Sequence, residues 1–114
     1  MKKVEIPFSR EMAIAAIESR KIATTRSDPK GDIGDEFEIL HPDIPKNEAC
    51  KYFATPRFRI IEVYNEDLQC IRNKFFRLEG FESPQSFEKT WRSLHRGHFA
   101  TNKDYFIHFF ARLL

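Results

Sequence analysis

The chain has 114 residues, enough for one domain over 1–114 that buries on the order of 65% of its unfolded surface, with no room for a sizeable second one. A formal net charge of +2 and a pI of about 8.6 permit a nucleic-acid partner without demanding one. Twelve Phe, three Tyr and one Trp are more aromatic surface than water tolerates, so most belong inside.

Lys3 to Phe8 alternates charged and apolar residues and predicts a first, edge strand stopped near Pro7. Ser9 then predicts a helix N-cap, with Glu11 in the first turn and an Ala13, Ile14, Ile17 stripe on a helix that ends around Arg20. Lys21 to Arg26 is expected to run extended, with Thr24 and Arg26 on one face. Asp28-Pro29-Lys30-Gly31-Asp32 has turn chemistry, and alternation resumes from Ile33 to Leu40.

Residues 41–55 carry Pro42, Pro45 and mixed charge without a period, which predicts a loop. Arg57 to Tyr64 predicts a strand with Arg57 and Arg59 on one face, becoming buried on both faces toward its end. Leu68, Ile71, Phe75 and Leu78 recur at helical spacing, and Gly80 closes that helix just after Glu79. Ser83 and Pro84 open a further helix whose Phe87, Trp91 and Leu94 stripe reads as core rather than as a stacking platform. Tyr105 to Leu113 is almost continuously apolar, as a central strand should be, and His108 within it reads as a satisfied core histidine.

Cys50 and Cys70 lack any paired spacing, so neither a disulfide framework nor a zinc site is signalled, and a reducing cytoplasm is the expected compartment. His95 and His98 are separated by Gly97, which breaks the helix that would align them, so no metal is expected there either and both read as decoration of a helix end. The opening residues lack the apolar core of a signal peptide, and no apolar run reaches membrane-spanning length, so no membrane partner is expected.

The densest polar chemistry is Ser19-Arg20-Lys21-Ile22-Ala23-Thr24-Thr25-Arg26. A cation, a hydroxyl and a guanidinium converging at a helix end suit a phosphate, a carboxylate or the polar edge of a base. From spacing alone, a solvated junction is the commoner outcome. The stretch resembles the signature of the ASCH domain family, Gly-x-Lys-x-x-Thr-x-Arg, with Lys21, Thr24 and Arg26 in register and Ser19 where the family usually has Gly. That substitution implies a turn before Lys21 outside the glycine-only conformation. Glu79-Gly80-Phe81 resembles the acidic segment that faces the motif across the family's pocket.

The resemblance implies an α+β fold, a PUA-like mixed β-barrel with flanking helices, and a cleft with Lys21, Thr24 and Arg26 on one wall and Glu79 on the other. It implies a partner that is RNA or a modified nucleoside, with Lys21, Thr24, Arg26 and, by extension of the basic surface, Arg57 as ligand contacts. The alternative implied by some small members is an amidohydrolase deacylating N4-acylcytidine nucleosides through Lys21, Thr24 and Glu79 as catalytic residues. A ribonuclease without a metal ranks third. None of the three needs a cofactor.

Overall fold

A computed structural model describes residues 1–43 and 55–113. Most of the 41–55 stretch, with Cys50, lies outside the described residues. The elements run α1 (Arg10–Ile17), β1 (Ala23–Arg26), β2 (Glu36–Glu38), β3 (Arg57–Asp67), α2 (Leu68–Phe75), α3 (Pro84–Leu94) and β4 (Asp104–Leu113). The four strands form one sheet in the order β1-β4-β3-β2, an α+β arrangement. Every strand pair is antiparallel, and the parallel component of the expected mixed sheet is confined to the isolated bridge between Lys3 and Glu36.

β4 occupies the interior position that its apolar run predicts, and its two faces serve two cores. Tyr105 and Ile107 pack with Ala23, Leu68, Ile71, Phe87 and Trp91 on the α2/α3 side. Phe110 packs on the other side with Phe37, Phe58, Ile60 and the small residues Ala13 and Ala16 of α1. The alanine face of α1 lets that helix sit close to the sheet. Both helix starts read from sequence hold: Ser9 caps α1 by accepting from the Met12 N–H, and Ser83 with Ser86 closes a capping box at α3.

Several expectations are corrected. The Lys3 to Phe8 strand reduces to the single bridge at Lys3, because its partner β2 is only three residues long and Pro7 has no N–H to donate. β3 loses rather than gains burial toward its end, with Ile61 and Tyr64 about half exposed. A register shift between Ile60 and Glu62 turns the strand there, and its far half carries no strand but β4. α1 ends at Ile17, not Arg20. Ser19, expected to avoid the glycine conformation, has φ 66° and so lies in the left-handed region. The reversal is closed by Arg20 and Lys21 N–H groups donating to the Ala15 carbonyl at 2.8 and 3.1 Å. Because a non-glycine residue is disfavoured there, Ser19→Gly is expected to raise stability by up to about 1 kcal/mol, read as a shift in the urea midpoint at unchanged slope.

Candidate functional site

The reversal after α1 delivers Lys21 beside the link between α2 and α3. The Ile22 and Ala23 N–H groups both donate to the Leu78 carbonyl, at 2.8 and 3.0 Å, so the start of β1 is tied to the residue preceding Glu79. Gly80 completes the junction with φ 96°, and a Cβ built on it would stand 3.2 Å from the Lys21 Cβ. Both the left-handed backbone and the close approach require glycine here.

The result is a buried polar knot. Lys21 Nζ donates to the Glu79 backbone carbonyl and to Glu79 Oε1, each at 3.0 Å, and Thr25 Oγ1 donates to Glu79 Oε2 at 2.5 Å. The side chains of Lys21 and Glu79 are only 3% and 4% exposed, so the pair interacts with little solvent screening. Burial pushes the Lys21 ammonium below the ordinary lysine range, outweighing the opposing pull of Glu79.

Arg26 is placed differently. Its guanidinium donates to Thr24 Oγ1 at 2.5 Å, to the Thr25 carbonyl at 2.8 Å and to the Pro7 carbonyl at 2.5 Å. It also lies over the Phe8 ring, 5.4 Å from the centroid. It therefore holds the segment before α1 against β1 as well as bordering the cleft, and burial lowers its pKa.

These side chains line one wall and the floor of a cleft of about 360 Å³. Phe81, Phe87, Trp91 and Leu94 line the same cleft, and Leu94, expected in the core, is 61% exposed. Lys21, Thr24, Arg26 and Glu79 thus all border one cavity. Thr24, however, does not meet Glu79: its hydroxyl is taken by Arg26, and the neighbouring Thr25, which sequence reading passed over, holds the carboxylate. Adjacent strand residues point to opposite faces, and Thr25 shares the α2/α3 face with its register partner Ile107. Arg57 is not brought to the cleft. It lies on exposed β3 with a guanidinium nitrogen 3.6 Å from Glu36 Oε1, and Arg59 reaches the same carboxylate at 3.1 Å.

His95 was also missed. It borders the cleft and stacks on Trp91 with ring centroids 4.1 Å apart. The signal was present in the spacing of Phe87, Trp91 and His95, each four residues after the last, which places the three on one helix face.

His108, fully buried, joins two backbone segments beside the cleft. Nε2 accepts from the Lys30 N–H at 3.0 Å, which fixes the remaining ring proton on Nδ1, 3.2 Å from the Thr24 carbonyl. Burial lowers its pKa, so the folded ring takes a proton only at lower pH than the unfolded one does, near 6.5. Between those values the unfolded state binds more protons. Stability is therefore expected to fall as pH drops below about 6.5 and to level off below the folded pKa, a slope that denaturant titrations should show and that His108→Gln should flatten.

Three groups with metal-ligating atoms, Glu66, Asp67 and Cys70, lie within 4.8 Å of one another at the start of α2. Asp67 is already committed there as the N-cap, accepting from the Cys70 N–H at 2.8 Å, and burial raises the Cys70 thiol pKa, away from the thiolate a metal needs. Among the described residues, no helix is long and apolar enough to cross a membrane.

No family model matches the chain, and no curated protein matches it by sequence. Solved structures do match. A crystal structure of a tyrosine-to-phenylalanine mutant of ZmASCH from Zymomonas mobilis superposes with a TM-score of 0.65 at 15% identity, over 96% of this chain and 69% of that one. A protein of the DUF984 family from Enterococcus faecalis superposes with a TM-score of 0.59 at 14% identity, over 98% of this chain and 75% of that one. Strand order, the helices over the sheet and these superpositions together establish that the chain has an ASCH-like fold.

Proposed function

We propose that the cleft binds a nucleoside, free or as one residue of single-stranded RNA. The observation that carries this reading is the composition of the lining: buried Lys21 and half-buried Arg26 share a cleft of about 360 Å³ with Phe81, Phe87 and Trp91. A base has both a polar edge and a flat apolar face, and that volume lies in the range of small-ligand sites. The same reading takes the sheet, with its bulge in β3 and a core on each side, for part of a PUA-like barrel. Supporting it is the resemblance of Lys21-x-x-Thr24-x-Arg26 to the ASCH signature.

Titration of cytidine and of a short single-stranded RNA tests the proposal. Wild type is expected to bind both, RNA affinity falling with salt by a log–log slope of about 0.7 per phosphate contact. Phe81→Ala and Lys21→Met, in protein shown to be folded, should weaken cytidine binding at least tenfold. Unchanged titrations in both variants would place the ligand elsewhere.

A second reading is favoured by the Thr25–Glu79–Lys21 contacts: hydrolysis of an N-acylated nucleoside. Thr25 Oγ1 would attack the acyl carbonyl while its proton passes to Glu79, and Glu79 would return that proton to the exocyclic nitrogen as the C–N bond breaks. Water would then release the acyl group as a carboxylic acid. Thr25, not Thr24, takes the hydroxyl role in this geometry. Cytidine release from N4-acetylcytidine, lost in Thr25→Val and in Glu79→Gln while Thr24→Val keeps it, is the expected pattern. No cytidine from wild type across neutral pH would leave binding alone.

A further inference from the structure

We propose that His95 contacts the ligand of this cleft, offering Nε2 as a hydrogen-bond acceptor to a ribose hydroxyl. The inference rests on the nucleoside reading above and adds the residue that would read the sugar.

Three observations fix the ring. Its Nδ1 lies 2.7 Å from the Trp91 carbonyl oxygen. A carbonyl only accepts, so Nδ1 carries the proton and the neutral ring has its lone pair on Nε2. The imidazole lies flat on the Trp91 indole, 11° from parallel with centroids 4.1 Å apart, so rotating it would give up both the stack and the hydrogen bond. Trp91 is itself held, edge-on against Tyr105 at 5.2 Å and stacked on Phe87 at 6.0 Å.

Ser9, Ser27 and Thr90 also line the cleft, but their hydroxyls rotate and donate as well as accept, so none is a fixed acceptor. Lys21 and Arg26 are donors only, and each Glu79 oxygen already accepts a hydrogen bond, from Lys21 or from Thr25. Thr24 Oγ1 accepts from Arg26. Among the described residues, His95 Nε2 has no hydrogen-bond partner and belongs to a rigid side chain on the cleft wall. His95 is exposed whereas Lys21 and Glu79 are buried, so it stands at the mouth. A base whose carbonyl meets the buried donors leaves its sugar at that mouth, where a fixed acceptor complements a hydroxyl.

The test compares cytidine with 2′,3′-dideoxycytidine on wild type and on His95→Phe, which keeps an aromatic ring on Trp91 and removes the acceptor. Imidazole 15N spectra follow Nε2 of His95 during each titration. Wild type should prefer cytidine by about threefold to tenfold, the worth of one hydrogen bond, with the Nε2 resonance moving for cytidine and not for the dideoxy compound. The preference should vanish in His95→Phe. Cytidine binding with a stationary Nε2 signal and an undiminished preference in His95→Phe would overturn the role of His95 and leave the nucleoside reading standing. Binding of neither compound would overturn both.

Discussion

Glu79→Ala is expected to destabilise the fold by about 3–5 kcal/mol, because it removes one partner of a buried ion pair and leaves the other. Lys21 would keep its hydrogen bond to the residue-79 carbonyl but lose the opposing charge at 3.0 Å, in a place where burial already lowers its pKa. Deprotonation limits the cost: the amine sheds its proton rather than remain charged without a counter-ion. Thr25 would lose its acceptor as well. A loss of this size is a large share of the 5–15 kcal/mol typical of a domain. The double variant Lys21→Met with Glu79→Leu is expected to recover much of it, since apolar residues of similar volume often replace a buried pair at little cost. Urea unfolding of the single and double variants gives both numbers. A single-variant loss under about 1 kcal/mol would mean that water reaches Lys21 and compensates it.

Phe110→Ala should be comparably severe, about 3–5 kcal/mol through loss of contacts and the cavity left behind. The ring stands edge-on to Phe37 at 5.3 Å, to Phe58 at 5.5 Å and to Phe8 at 6.2 Å, so one truncation opens a gap against three aromatics. Its neighbour Phe109 faces the other core and is only half buried, between Tyr64 and Phe75. Phe109→Ala should cost clearly less. Equal losses in chemical denaturation would contradict the assignment of Phe110 to the tighter core.

What the sequence made legible were features set by local chemistry. Ser83-Pro84 specified the start of α3, the nearly continuous apolar run of β4 specified an interior strand, and Gly80 marked the left-handed turn beside Glu79, although α2 itself ends at Phe75 rather than running up to that glycine. Facing faces were harder. Thr24 and Thr25 are identical in type, and strand alternation says only that they diverge. Which one meets Glu79 depends on where the α2–α3 link crosses the sheet, a packing outcome with no local signature. Ser19 shows a different limit: the polar residue suggested an ordinary turn, whereas the hydrogen bonds to the Ala15 carbonyl hold it at positive φ. Arg57 was expected as a ligand contact, whereas the β2–β3 register sets it beside Glu36 and away from the cleft. His95 was obscured because Gly97 was read for its effect on metal alignment, while the i, i+4 relation to Trp91 was left unused.

The pairing of β1 with β4 has a consequence for the order of events during synthesis. β1 hydrogen-bonds to β4 alone among the strands, and the contact between His108 and Thr24 spans 84 positions of sequence. At about 5–20 residues per second, several seconds separate the emergence of the two strands from the ribosome. Over that interval Lys21 and Thr25 have no scaffold, because Glu79 and then β4 are still to come. The cleft therefore closes as a late, long-range event, and a nascent chain halted before β4 carries every cleft-lining residue named here without the strand that assembles them.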